Sequence, residues 1–230
     1  LTIDRNPILD GNKVGVSSIL SAMLGNGTTN ISKDEFNEEV EFLGASLSVS
    51  FSGGSANTLT KNNTRVLELW SDAIINPLLS EEEFDKEKTK LSESLKSDVN
   101  NIDAIASRVS SALSYGKNHP YGEFLSEETL SNVTFEDVLD YHSRYYIPNN
   151  AYLVVVGDVN TKEIKTVLKE KFGSWKKGKM PVNPKPSYTE NVMLTEVDFI
   201  DVPSATQSTI IVTNNTALKS SDEDYFAALL

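Results

Sequence analysis

The sequence predicts an α+β domain: an antiparallel sheet with helices packed on it. Three observations carry that reading. Ala45, Leu47, Val49 and Phe51 alternate with small polar residues over residues 45–52, the period of a half-buried strand. Gly53-Gly54 is expected to turn the chain into a return strand over residues 55–61, which makes a hairpin. Most of the remaining chain falls into segments of helical period, several opened by Ser/Thr-x-x-acid signals and stopped by glycine or proline. Helices laid on a paired-strand sheet follow from that mixture.

The elements follow in order. Residues 1–11 read as extended and end in a turn at Asp10-Gly11. A helix is expected over 13–24, stopped by Gly25 and Gly27. Ser32-Lys33-Asp34-Glu35 is a capping box that opens a second helix to Leu43, with Gly44 after it. Residues 63–76 form a helix with Val66, Leu67, Trp70, Ile74 and Ile75 inward, ended by Pro77. Ser80-Glu81-Glu82-Glu83 opens a long acidic helix to about residue 100. Another helix spans 102–115, with Ile105, Val109, Ala112 and Leu113 on one face, and a loop follows over 117–123. Thr134-Phe135-Glu136-Asp137 caps a helix running to Tyr145. Residues 151–157 read as a continuous apolar strand, and 161–172 as a helix. Pro181, Pro184 and Pro186 mark a linker. Two more strands are expected near 194–201 and 207–214, then a last helix capped by Ser220 or Ser221. There is no short internal repeat.

Composition narrows the function classes. A chain of 230 residues makes one large domain, or one domain plus a fragment of a second. With 33 acidic and 21 basic residues the net charge is −12, which argues against a nucleic-acid or anionic-membrane partner. The chain has no cysteine, so disulfides, thiolate catalysis and cysteine–zinc sites are excluded. No apolar run reaches the ~18 residues of a transmembrane helix. The first residue is Leu1, not Met, and the expectation is that any leader or earlier domain has been removed. A periplasmic location is favoured over a cytoplasmic one.

The segment richest in information is Gly15-Val16-Ser17-Ser18-Ile19-Leu20-Ser21-Ala22-Met23-Leu24-Gly25-Asn26-Gly27-Thr28. Its Gly15, Met23, Gly27 and Thr28 fit the frame G-x-x-H-x-x-E-H-M-x-x-x-G-T, which opens the zinc site of the pitrilysin/insulinase metallopeptidases, the inverzincins. Further landmarks fall in that family's order: Phe42-Leu43-Gly44-Ala45-Ser46-Leu47, then Ile75-Asn76-Pro77 with Glu82-Glu83-Phe84, then His119-Pro120-Tyr121-Gly122. Tyr145-Tyr146-Ile147-Pro148-Asn149-Asn150, Val154-Val155-Val156-Gly157-Asp158 and Phe172-Gly173-Ser174-Trp175 complete the set. The chain resembles this family from about residue 7 to its end, and most closely the branch of bacterial peptidases and the mitochondrial processing peptidase.

The resemblance keeps the frame and drops the chemistry. The two histidines of the motif become Ser18 and Ala22, and the glutamate becomes Ser21. The family's third ligand, a glutamate on the long acidic helix, corresponds to Ser94. Glu93 is adjacent, but one helical step turns a side chain by about 100°. Zinc needs imidazole, thiolate or carboxylate ligands, and a serine hydroxyl is no general base near neutral pH. The catalytic positions are therefore degenerate, and no metal ligand is expected.

In the resembling family, zinc and substrate holding are divided between homologous domains of one chamber. The resemblance implies a metallopeptidase half-chamber domain, of the fold shared by LuxS and the processing peptidases. It would span residues 1–180, trimmed at its N-terminus, followed by a linker at 181–190 and the start of a second homologous domain at 191–230. It also implies a non-catalytic homologue that holds an unstructured peptide beside an active sister domain or subunit. Zinc is expected only in that sister, so this chain has no cofactor of its own. Ala45, Ser46, Leu47, Ser48, Val49 and Ser50 are the expected peptide-receiving strand. The alternatives are an active zinc endopeptidase with non-standard ligands and an assembly-only structural subunit. His119 and His142 are the only histidines. They read as a turn residue before Pro120 and a helix-surface residue beside Tyr141 and Tyr145, because zinc-ligand spacing is lacking.

Overall fold

Strand pairing decides where this chain's apolar runs become structure. A computed structural model describes residues 1–3, 8–182, 189–203 and 205–229. β1 (Thr2–Ile3), β2 (Ser46–Ser50), β3 (Gly53–Asn57) and β4 (Ala151–Tyr152) form one antiparallel sheet in the order β2-β3-β1-β4. The hairpin pairs Ser46 with Asn57 through to Ser50 with Gly53.

The turn of that hairpin is Phe51-Ser52, not the glycine pair. Both glycines lie in β3, for steric reasons. Gly53 takes φ 128°, and a Cβ there would stand 2.3 Å from the Leu1 carbonyl oxygen. A Cβ on Gly54 would stand 2.2 Å from the Ser48 carbonyl oxygen. Glycine is required here by close backbone approach.

The helices form where their caps predict. α1 is Val16–Met23, α2 is Lys33–Phe42, α3 is Asn63–Ile75 and α4 is Glu81–Ser97. α5 (Ile102–Tyr115), α6 (Glu127–Ser131), α7 (Phe135–Tyr145) and α8 (Thr161–Phe172) follow, with a short α9 at Tyr225–Ala228. Ser32 and Thr134 close reciprocal capping boxes with Glu35 and Asp137. Ser80 accepts the Glu83 N–H at the start of α4. Three acidic residues in that first turn also face the positive end of the helix dipole.

The core lies where α1, α3, α4, α7 and α8 meet the sheet. Val16, Ile19, Leu20 and Met23 of α1 pack there with Trp70, Ala73 and Ile74 of α3. Phe84 and Leu95 of α4, Val138, Tyr141 and Tyr145 of α7 and Ile164 of α8 complete it. Trp70 meets Phe172 edge-to-face at 6.0 Å, joining α3 to α8.

Several expectations change. Among the described residues, the apolar run at 151–157 joins the sheet at Ala151 and Tyr152, opposite Ile3 and Thr2. Val154 and Val156 are exposed. Residues 194–201 and 207–214 are irregular, with Val197, Phe199, Ile210 and Val212 open to solvent. Among the described residues no strand pairs with these segments, and β-propensity makes a strand only when a neighbour supplies the ladder. α5 buries no residue fully, and Leu113 is exposed. The residue before α9 is Asp224, not Ser220 or Ser221, and its side chain makes no capping hydrogen bond. Most of the expected linker, 183–188, lies outside the described residues. No described helix is long and apolar enough to cross a membrane.

Candidate functional site

The frame residues of the 15–28 segment all have structural tasks. Gly15 begins α1 at φ 121°, and a Cβ there would stand 2.7 Å from Leu125 Cδ1. Met23 is buried in the core. Gly27 takes φ 94°, and its Cβ would meet the Lys33 backbone nitrogen at 2.8 Å. Thr28 is buried, and its Oγ1 accepts the N–H groups of Asn30 and Ile31, each at 3.0 Å. This turn seats α2 after α1. The frame is therefore kept by folding requirements that are independent of chemistry.

The positions between them differ. Ser18 and Ala22 lie on the exposed side of α1, opposite the buried Val16, Ile19, Leu20 and Met23. Ser21 is half-buried, and its Oγ accepts the Phe51 N–H at 3.1 Å. α4 packs against α1, with Ser94 and Glu93 both exposed. Two other acids of α4 face neighbouring cations. Glu83 pairs with Lys33 and Lys86, and Glu87 with Lys90. Lys88 Nζ donates to the carbonyls of Ser131 and Val133 at 3.2 and 2.6 Å. This is a mixed-sign surface helix tied to α6, as its sequence suggests.

The two histidines sit in different settings. His119 Nδ1 accepts the Tyr121 N–H at 3.1 Å, and its ring stacks on Tyr115 at 5.2 Å. That is the turn role expected of it. His142 departs from expectation, because it is not a surface residue. Its ring stacks on Tyr146 at 4.9 Å, and its buried Nε2 has no hydrogen-bond partner. Burial pushes its pKa down from 6.5 to about 4, so it is neutral near pH 7. Among the described residues no three His, Cys, Asp or Glu side chains come together as a metal site.

The expected peptide segment forms a sheet edge. β2 is the outer strand beyond β3. Ser46 and Ser48 are exposed, Leu47 and Ser50 half-buried and Val49 buried, so the alternation read in the sequence holds. Ala45, just before the strand, donates its N–H to the Val40 carbonyl at 3.1 Å. Ser48 Oγ meets Ser55 Oγ at 2.9 Å across the hairpin.

Three side chains hold the hairpin from below, and sequence reasoning missed that role in each. Trp70 Nε1 donates to the Ser48 carbonyl at 3.1 Å. Tyr146 OH donates to the Ser50 carbonyl at 2.5 Å and lies 3.2 Å from the Gly53 carbonyl oxygen. Burial pushes that phenol's pKa up, which keeps it a donor. Ser21 is the third. The only sequence signal was a polar tip on an otherwise apolar helix face, and such a tip needs a partner when buried.

Residues 10–119 match the family model described as insulinase (peptidase family M16). Residues 132–230 match the one described as the peptidase M16 inactive domain. The chain belongs to the M16 peptidase family. A zinc protease of Helicobacter pylori, PqqE, is 30% identical to this M16 chain over 173 residues, covering 71% of the chain and 38% of that protein. The chain thus spans about two fifths of that relative's length. Two solved structures share the fold. One is a peptidase M16 inactive domain from Pseudomonas fluorescens, with TM-score 0.68 and 18% identity over 79% of this chain and 46% of that one. The other is the first half of the periplasmic protease PqqL from Escherichia coli, with TM-score 0.64 and 20% identity over 83% of this chain and 43% of that one.

Proposed function

We propose that this M16 chain is a non-catalytic half-chamber domain, which holds peptide for an active sister domain or subunit. One observation carries the reading. The four positions that hold zinc and its general base in the resembling motif are Ser18, Ser21, Ala22 and Ser94. Three hydroxyls and a methyl do not fit a zinc ion, which takes imidazole, thiolate or carboxylate. Ser18, Ala22 and Ser94 face solvent, and Ser21 is engaged by the Phe51 amide. No hydrolytic step is therefore assigned to this chain.

The edge position of β2 supports peptide holding. A strand edge offers main-chain groups to an extended peptide, and the side chains on each face set selectivity. Ser46 and Ser48 present small, uncharged groups there, which suits a peptide chosen by conformation more than by charge. The divided domain reading, 1–180 then 191–230, is kept as part of the proposal. Among the described residues, 191–215 meets the preceding domain through hydrogen bonds from Thr209 to Asp103 and from Asn215 to the Ser114 carbonyl. A periplasmic location belongs to the same proposal, supported by the likeness in fold to PqqL, a periplasmic protease.

The test has two arms. Elemental analysis after dialysis should find no stoichiometric zinc, and peptide cleavage should be absent with or without chelator. One retained equivalent of zinc with chelator-sensitive cleavage establishes the endopeptidase reading instead. Hydrogen exchange with an unstructured peptide long enough to add a strand to the edge should protect residues 45–52. Binding without protection there removes the strand from the site. No binding at all, even with the sister domain present, leaves assembly alone.

A further inference from the structure

Ser21 stands where the motif's general base would be, and its side chain has a partner in the hairpin. Its Oγ accepts the N–H of Phe51 at 3.1 Å, and Phe51 is the first residue of the turn that ends β2. The turn needs outside support. Two-residue hairpin loops favour positive φ at their central residues, because that backbone matches the twist of the strands. Neither Phe51 nor Ser52 has positive φ, and the nearest residue that does is Gly53 at 128°. The turn is held by bonds from three directions instead: Ser21 on α1, Tyr146 at the end of α7, and Ile3, whose N–H donates to the Ser52 carbonyl at 3.0 Å.

We propose that Ser21 is a positioning residue for peptide capture: it ties the β2 turn to α1 and fixes the edge strand in its receiving register. This rests on the peptide-holding function above. A peptide that adds to an edge gains only if the edge is already ordered, since ordering costs are otherwise charged to binding. The position that supplies a base in a zinc-bearing relative here supplies a tether to the substrate strand.

The experiment uses the whole chain, with Ser21→Ala, Ser21→Thr and, as an exposed control on the same helix, Ser18→Ala. Amide exchange over residues 48–53 is measured without peptide. Binding of an unstructured, fluorescently labelled peptide is measured alongside, with the thermal midpoint as a fold check. Ser21→Ala should speed exchange at the turn and weaken peptide binding by about fivefold each, the size of one net hydrogen bond. Ser21→Thr restores the acceptor and should restore both, while Ser18→Ala should change neither. Unchanged exchange in Ser21→Ala overturns the tether. Faster exchange with unchanged peptide affinity overturns its role in capture. If the unsubstituted chain protects no residue of β2 on adding peptide, the peptide-holding function itself fails, and capture by Ser21 falls with it.

Discussion

Lowering the pH from 7 to 5 should destabilise this protein through a single imidazole. His142 stacks on Tyr146 with its Nε2 buried, and its pKa lies at about 4, down from 6.5. Between those values the unfolded chain binds a proton that the folded chain refuses. Stability rises with pH wherever the unfolded state holds more protons. The contribution is therefore complete above about 6.5 and is lost as the pH falls towards 4. At pH 5 the linkage relation gives a loss of about 2 kcal/mol, and below pH 4 it saturates near 3 kcal/mol. With an ordinary urea dependence the midpoint should fall by about 1 M at pH 5. The comparison is His142→Phe, which keeps a ring beside Tyr146 and removes the orphaned nitrogen. Urea unfolding at pH 7 and pH 5 should show the original chain losing about 2 kcal/mol more than the variant. Glu39 does not blur the window. Its hydrogen bond to Arg65 holds its carboxyl below 4.5, so its contribution is present above that value and is lost only as the pH falls further. The reasoning fails if the two proteins lose equal stability between pH 7 and 5.

Three other outcomes follow from the site. Ser18→His alone should bind zinc weakly in an indicator competition, whereas Ser18→His, Ala22→His and Ser94→Glu together supply three ligands and Ser21→Glu the base; tight binding by the single variant would contradict the alignment of Ser18, Ala22 and Ser94 with the ligand positions. Tyr146→Phe removes the donor to the Ser50 carbonyl, and calorimetry should show a loss of about 1–3 kcal/mol, or roughly 3–8 °C. Gly54→Ala puts a Cβ 2.2 Å from the Ser48 carbonyl oxygen, and urea unfolding should register a loss of about 1–3 kcal/mol.

Local signals were legible where the chemistry is local. The boxes at Ser32 and Thr134 need only residues three apart, and both form. The alternation over residues 45–52 reports one strand's own two faces, and it holds. What failed depends on neighbours. The run at 151–157 looks like a strand in isolation, but among the described residues β1 pairs with it at Ala151 and Tyr152. Gly53-Gly54 carries the composition of a turn, yet its smallness serves contacts with Leu1 and Ser48, which are distant or invisible in sequence. His142 read as a surface residue beside Tyr141 and Tyr145, while its ring turns towards Tyr146, one turn on. The frame positions Gly15, Met23, Gly27 and Thr28 were legible as a local pattern. The engagement of Ser21 with the hairpin was not, because hydrogen bonds between residues thirty apart leave no pattern in the chain.

The unpaired stretches near 194–201 and 207–214 bear on how concentrated a solution of this chain can be. Thr195-Glu196-Val197-Asp198-Phe199 interleaves acids with its exposed apolar groups, and such residues act as gatekeepers against stacking with other copies. Ser208-Thr209-Ile210-Ile211-Val212-Thr213 has no charge and no proline, the composition of a segment that templates cross-β association. The overall charge of −12 opposes that encounter, and such repulsion between copies weakens as salt shortens its range. Added salt should therefore bring on self-association, beginning at residues 208–213.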